Sequence, residues 1–142
     1  ALVALVSSHE KQGVGIHRIY LTSAGEKAPV EKNKKLMAGK PLNGSSIKLC
    51  GFGEVLGIAE GIETALAASR KFSVPTWAAI TAGLLEQWLP PEGVKKVIVF
   101  GDNDASFTGQ ASAYALAKKL RLKGIEVDVM IPELAGKDWA DD

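Results

Sequence analysis

The chain has 142 residues, about one ordinary domain, of which 46% are hydrophobic and 23% are charged. These proportions are typical of a globular protein with a real core, and they exclude a chain that is disordered throughout. Because Cys50 is the only cysteine and there are two histidines, a disulfide scaffold and a cysteine-rich structural zinc site are also excluded.

Charge is unevenly distributed along the chain. Residues 1–50 hold 8 Lys or Arg against 3 Asp or Glu, whereas residues 51–142 hold 9 against 13. A basic half can hold phosphates and an acidic half can hold a cation, so the distribution is informative about binding partners.

Hydropathy and the first residue predict the setting of the chain. No apolar run approaches the ~20 residues that span a bilayer. The opening ALVALV is too short for a signal segment and has no basic stretch before it. We therefore expect a cytoplasmic protein without a membrane partner. A start without Met, within a predicted strand, indicates a segment of a larger chain.

The first 53 residues are predicted to form a basic, β-rich lobe. Residues 1–7 and 15–22 are rich in β-formers and predict an antiparallel hairpin. Turn residues then lead to a third short strand at 28–30, and the Lys-rich segment 31–44 is predicted to be irregular. A short strand is expected at 47–50.

Residues 54–142 are predicted to form an α/β core. Short apolar runs predict buried strands at 55–59, 75–81, 97–100 and 125–131. Helical periodicity predicts helices at 61–72, at 84–89, and between Asp104 and Gly124. This alternation predicts a parallel sheet with helices on both faces, in which function lies at the carboxyl ends of the strands.

Acidic side chains follow three of the predicted strands. Glu60 follows the first strand directly, Asp102 and Asp104 follow the third, and Asp138 and Asp141 follow the last after a short loop. Because parallel strands lie about 4.8 Å apart, carboxylates at their ends can converge to within ~5–6 Å. Such a cluster requires a cation, and oxygen-only ligation suits Mg²⁺ or Mn²⁺.

Each acidic group also has a purely structural interpretation. Glu60 could be an acid favoured at a helix N-terminus, Asp102 and Asp104 could form a capping turn, and Asp138 could be a solvated charge. No phosphate-binding P-loop motif and no G-x-S-x-G nucleophile motif is present. The three tryptophans are expected in the core, and Cys50 is expected to be a small buried apolar residue.

Three motifs together resemble the Toprim domain: residues 58–66 (IAEGIETAL), 101–104 (GDND) and 136–141 (GKDWAD). That domain is shared by bacterial-type primases, type IA and II topoisomerases, and some nucleases. The resemblance covers residue 54 to the end. Cellular primases often carry an acid four residues after the strand-end glutamate, where this chain has Thr64. The neighbouring Glu63 is the alternative acid.

The likeness is strongest to Toprim proteins of phages, plasmids and other mobile elements that act as primases or primase-helicases. Residues 15–21 and 34–36 resemble the lobe that precedes their Toprim core. By that resemblance, Arg18, Lys34 and Lys35 are expected to hold nucleotide or template phosphates, in agreement with the positive charge of residues 1–50.

The resemblance implies a primase, a nucleotidyltransferase that condenses nucleoside triphosphates into RNA primers on single-stranded DNA during replication. Glu60 would be a metal ligand or general acid/base, and Asp102, Asp104 and Asp138 would hold Mg²⁺ or Mn²⁺. A helicase domain in the same parent chain is a further expected partner. The alternatives are a Toprim nuclease or topoisomerase-type domain and, outside enzymes, a receiver-like signalling module.

Overall fold

A computed structural model describes residues 1–141, beginning with an antiparallel sheet. Its strands are β1 (Leu2–Ser7), β2 (Gly13–Ile19) and β3 (Lys34–Ala38), in that order. Val3 pairs with Arg18 and Arg18 pairs with Lys35, so these three residues lie side by side across the sheet. The predicted hairpin is confirmed.

The third strand of this sheet lies where the sequence analysis predicted irregular chain. No strand covers 28–30, although Ala28 N–H donates to the Tyr20 carbonyl at 2.8 Å and an isolated bridge joins Leu21 to Lys27. Strand β3 forms instead within the Lys-rich segment, and every one of its side chains is exposed. It is an edge strand, for which lysines are favourable because they discourage pairing with another chain. Its formation depends on hydrogen bonds to β2, which an apolar pattern does not reveal.

The second sheet is parallel and follows the predicted order. Its strands are β4 (Val55–Ala59), β5 (Thr76–Ala78), β6 (Lys96–Phe100) and β7 (Glu126–Met130), arranged β5-β4-β6-β7. Three helices connect them, followed by a short 3₁₀ helix: α1 (Ile62–Phe72), α2 (Ala82–Gln87), α3 (Thr108–Leu122) and the 3₁₀ turn at Trp139–Asp141. The predicted α/β class is confirmed. Residue 142, the last residue of the predicted core, lies outside the described part.

Alternating side chains of β4 and β6 form two cores on opposite faces of the sheet. Leu56 and Val99 pack with α2 and α3 on one face. Ala59 and Phe100 pack on the other face, with α1, Trp139 and several residues of the antiparallel sheet. Parallel strands buried on both faces must be apolar throughout, which is why their sequences read as continuous hydrophobic runs.

The two sheets are joined by shared packing and by single bridges. Val6 of β1 is fully buried in the core beneath α1. Ile47 bridges Ala78, the last residue of β5, although the strand predicted at 47–50 does not form beyond this bridge. The expectation for Cys50 was wrong, because this residue is exposed. The three tryptophans are buried as expected. Among the described residues, no helix is long and apolar enough to span a membrane.

Gly57 lies in the centre of β4, where its neighbours leave no space for a side chain. An added Cβ would overlap Thr76 Oγ1 and lie 2.9 Å from Phe100 Cε2. We expect Gly57→Ala to lower the free energy of unfolding by about 1–3 kcal/mol, because the packed core must shift. Chemical denaturation measures this change. Gly51→Ala is the matched control, since no atom lies within 4 Å of its added Cβ; equal effects of the two changes would contradict the packing argument.

Candidate active site

A cavity of about 250 Å³ opens at the carboxyl edge of the parallel sheet, beneath the antiparallel sheet. Its walls combine acidic residues of the parallel core with lysines that precede it in the chain. The lining residues are Lys27, Lys34, Glu60, Gly61, Glu63, Thr64, Ile80, Asp102, Asp138, Ala140 and Asp141. We call this space the acidic cavity.

Glu60 lies between the last residue of β4 and the first turn of α1. Its backbone carbonyl accepts a hydrogen bond from Ile80 N–H at 2.7 Å, which ties it to the chain leaving β5. Burial raises the pKa of the Glu60 carboxyl, the charge of Asp104 raises it further, and Lys34 acts in the opposite direction. A carboxyl with a raised pKa at the end of a buried strand is suited to proton transfer.

Asp102 follows β6, the strand adjacent to β4. Its Oδ1 is buried and has no hydrogen-bond partner among the described residues. Burial and the neighbouring charges of Glu60, Asp138 and Asp104, in decreasing order, raise the pKa of Asp102 to about 7. Glu60 and Asp102 line the same cavity, and Glu60 is the neighbouring charge with the largest effect on the pKa of Asp102.

Asp104 is placed differently from Asp102. Its Oδ2 accepts a hydrogen bond at 2.8 Å from Gly109 N–H, in the first turn of α3. It does not line the acidic cavity, although its charge raises the pKa of both Glu60 and Asp102. One oxygen of Asp104 therefore caps α3, as in the structural interpretation. The negative charge of Asp104 still acts on Glu60 and Asp102.

Asn103 joins the loop after β6 to the loop that carries Asp138. Its Nδ2 donates to the Pro132 carbonyl at 2.7 Å, and its backbone N–H donates to the Lys137 carbonyl at 3.0 Å. Asp138 in turn accepts a hydrogen bond from Ala140 N–H at 2.7 Å through Oδ1. These bonds bring Asp138 beside Asp102, a positioning role for Asn103 that the sequence analysis missed.

The three basic residues expected to hold phosphates are divided between two surfaces. Arg18 and Lys35 are paired across β2 and β3, and both lie over the Tyr20 ring, at 5.8 and 5.6 Å. Lys34 is the next residue along β3, so its side chain points to the opposite face and lines the acidic cavity. Lys27 also lines the cavity. Sequence reasoning missed it because it lies in a loop far from any motif.

A divalent cation fits the chemistry of this donor set. The unpartnered Asp102 Oδ1 and the raised pKa of that group indicate a place where a cation would be stabilised. Within residues 1–141, no group of three or more Asp, Glu, His or Cys side chains is arranged so that all of them could hold one metal ion. Mg²⁺ keeps several waters and uses one or two carboxylates, so it does not require such a preformed shell.

Residues 55–142 match the family model of the Toprim domain. The chain belongs to the Toprim domain family. Residues 1–49 match a second model, described as a domain of unknown function. No curated protein matches this chain.

Solved structures of primases share the fold. The zinc-binding and RNA polymerase domains of the Aquifex aeolicus primase are 14% identical, with 98% of this chain and 35% of that one covered and a TM-score of 0.67. A DnaG primase catalytic domain bound to single-stranded DNA is 13% identical, with 98% and 46% covered and a TM-score of 0.63. The primase fragment of the bacteriophage T7 primase-helicase protein is 14% identical, with 97% and 55% covered and a TM-score of 0.61. This Toprim chain therefore spans about a third to a half of each relative.

The raised pKa of Asp102 predicts a specific pH dependence of stability. Its folded-state value of about 7 lies above the ordinary 3.8, so the folded protein binds more protons between these values and loses stability as the pH rises through them. Asp102→Asn removes this loss. In metal-free denaturation experiments with EDTA, the free energy of unfolding of the variant relative to wild type should increase from about pH 4 to about pH 7. Above about pH 7 this difference should stay constant. Glu133→Gln, at an exposed position, is the control, and a difference that is constant with pH would contradict the prediction.

Proposed function

We propose that this Toprim chain is the catalytic part of a DNA primase that makes RNA primers on single-stranded DNA with Mg²⁺ or Mn²⁺. The observation that carries the proposal is the acidic cavity. There, carboxylates of the parallel core face lysines of residues 1–53, which we call the antiparallel lobe. Nucleotidyl transfer needs this pairing, because a cation must be held beside the phosphates of a nucleotide. The shared fold with primase catalytic cores supports it.

Glu60, Asp102 and Asp138 line the acidic cavity, and one or two of them would hold the cation, while Asp104 would add negative charge from the side. When bound, the cation supplies charge neutralisation for the reacting phosphate oxygens. Where Asp102 and Asp138 hold the cation, Glu60 is instead the general acid/base, a role that suits a pKa raised by burial. In this role its carboxylate accepts the proton of the attacking 3′-hydroxyl while the hydroxyl oxygen bonds to the α-phosphate and pyrophosphate leaves.

Lys27 and Lys34 are placed to contact the phosphates of the incoming nucleotide, because their ammonium groups lie at the wall of the same cavity. Arg18 and Lys35 lie on the outer face of the antiparallel sheet, where they form a separate basic patch around Tyr20. We assign this outer patch to phosphates of the DNA template. By analogy with the phage relative described as a primase-helicase protein, a helicase in the same parent chain is a further proposed partner.

A nuclease or topoisomerase activity is the alternative within the family. A topoisomerase needs a nucleophilic tyrosine, and neither Tyr20 nor Tyr114 lines the acidic cavity. Tyr114 is on α3 and Tyr20 lies beneath two cations on the outer face of the lobe. The receiver-like alternative is set aside by membership of the Toprim family.

Primer synthesis tests the proposal directly. On single-stranded DNA with labelled nucleoside triphosphates, wild type should form short RNA products in Mg²⁺ and none in EDTA. Glu60→Gln and Asp102→Asn should each lower the rate by at least about 100-fold, because each removes charge that acts at the reacting centre. Both variants should stay folded by circular dichroism. Cleavage of the DNA template without primer formation would favour the nuclease alternative.

The outer basic patch predicts a measurable salt effect. Replacing Arg18 and Lys35 together with Ala should weaken single-stranded DNA binding and reduce the slope of log affinity against log salt by about 0.7 for each lost phosphate contact. Fluorescence anisotropy over a series of NaCl concentrations gives this slope. The control pair is Lys118→Ala with Lys123→Ala, which removes the same charge from exposed positions on and after α3. Equal slopes for both double variants would make Arg18 and Lys35 ordinary surface charges.

A further inference from the structure

Glu63 binds two lysines of the antiparallel lobe at once. Its Oε1 lies 3.7 Å from Lys27 Nζ and its Oε2 lies 3.5 Å from Lys34 Nζ. Glu63 is in the first turn of α1, three residues after Glu60, whereas the lysines come from a loop and from β3. One carboxylate therefore connects two separate segments of the lobe to the parallel core, at the wall of the acidic cavity.

Both oxygens of Glu63 are directed toward ammonium groups, which distinguishes it from Asp102 and its unpartnered oxygen. Burial alone would raise the pKa of Glu63, but its backbone hydrogen bond, Lys34 and Lys27 together lower it, so the carboxylate stays charged. His17 lies close by and is buried, and burial and the charge of Lys34 lower its pKa. The charge of Glu63 raises the pKa of His17 without reversing this shift.

The lysines need such an anchor because of the charges around them. Lys34 also acts on Glu60 and Asp102, lowering the pKa of each against the effect of burial. Without Glu63, the flexible Lys34 side chain would be drawn toward these two carboxylates, where it would compete with a cation. The ion pairs with Glu63 keep the ammonium groups of Lys27 and Lys34 at the wall of the cavity.

We propose that Glu63 is a positioning residue that fixes Lys27 and Lys34 for contact with the phosphates of a nucleotide, and that it is not a metal ligand. The inference rests on the proposed function. The sequence leaves open whether Glu63 replaces the acid that cellular primases often carry at the position of Thr64. In this proposal Glu63 does not replace it, because its carboxylate faces the two lysines.

Four proteins test the assignment: wild type, Glu63→Gln, Lys27→Met with Lys34→Met, and the triple variant. Two affinities are measured for each, that for Mn²⁺ alone by electron paramagnetic resonance and that for Mg²⁺–ATP by calorimetry. Glu63→Gln should weaken Mg²⁺–ATP binding about 3- to 10-fold and change Mn²⁺ affinity by less than about 3-fold, as expected for lost charge-assisted contacts. In the background without the lysines, it should have no further effect on either affinity.

Glu54→Gln is the matched control. It breaks a 2.9 Å ion pair with Lys95 at the start of β4, the end opposite the cavity, and should leave both affinities unchanged. A loss of Mn²⁺ affinity of about tenfold or more on Glu63→Gln, with and without the lysines, would make Glu63 a metal ligand and overturn the proposal. Unchanged Mg²⁺–ATP affinity in Glu63→Gln, or no ATP binding by wild type, would overturn it as well.

Asp102→Asn separates this proposal from the proposed function. If Asp102→Asn leaves Mn²⁺ and Mg²⁺–ATP affinity unchanged, the acidic cavity is not the active site. In that case the proposed function is wrong, whatever the result for Glu63→Gln. If Asp102→Asn abolishes Mn²⁺ binding and Glu63→Gln does the same, the proposed function survives and the positioning role of Glu63 fails.

Discussion

The repulsion between the carboxylates of Glu60 and Asp102 is the constraint on which the site depends. β4 and β6 are adjacent and parallel, so their carboxyl ends bring these side chains to one edge of the sheet. Burial beneath the antiparallel lobe strengthens the repulsion, because water no longer screens the charges. Burial and the charge of Glu60 raise the pKa of Asp102, and burial and the charge of Asp104 raise the pKa of Glu60. Ionisation of Asp102 beside Glu60 lowers the stability of the folded protein at neutral pH. In the proposed function, a bound cation would offset this loss.

Neighbouring groups reduce the electrostatic repulsion among these carboxylates without removing it. Asp104 directs one oxygen to the N-terminal turn of α3, where the helix dipole stabilises negative charge. Lys34 offsets part of the charge on Glu60 and Asp102 from the opposite wall. Asn103 ties the loop of Asp102 to the loop of Asp138 through neutral hydrogen bonds. These contacts hold the loops of the acids together, and among the described residues they leave Asp102 Oδ1 without a hydrogen-bond partner.

The antiparallel lobe presents two basic surfaces because a strand alternates its side chains. Lys34 and Lys35 are neighbours in the sequence, but they point to opposite faces of β3. The inner face meets the acidic cavity, and the outer face carries Lys35 and Arg18 around Tyr20. One short strand can in this way contact a nucleotide on one side and a template on the other. On the inner surface, Lys27 and Lys34 both form ion pairs with Glu63.

The sequence by itself determined the parallel core, because strands buried on both faces must be apolar and helices between them must have one apolar side. The positions of Glu60 and Asp102 followed from the same rule, since an acid directly after a buried strand lies at the carboxyl edge. Strand β3 and the roles of Lys27, Glu63 and Asn103 were decided only by the tertiary structure. β3 forms through hydrogen bonds to β2, and Lys27 meets Glu63 across 36 residues of chain. Such contacts depend on which segments meet in space, and no local periodicity, spacing or composition records that.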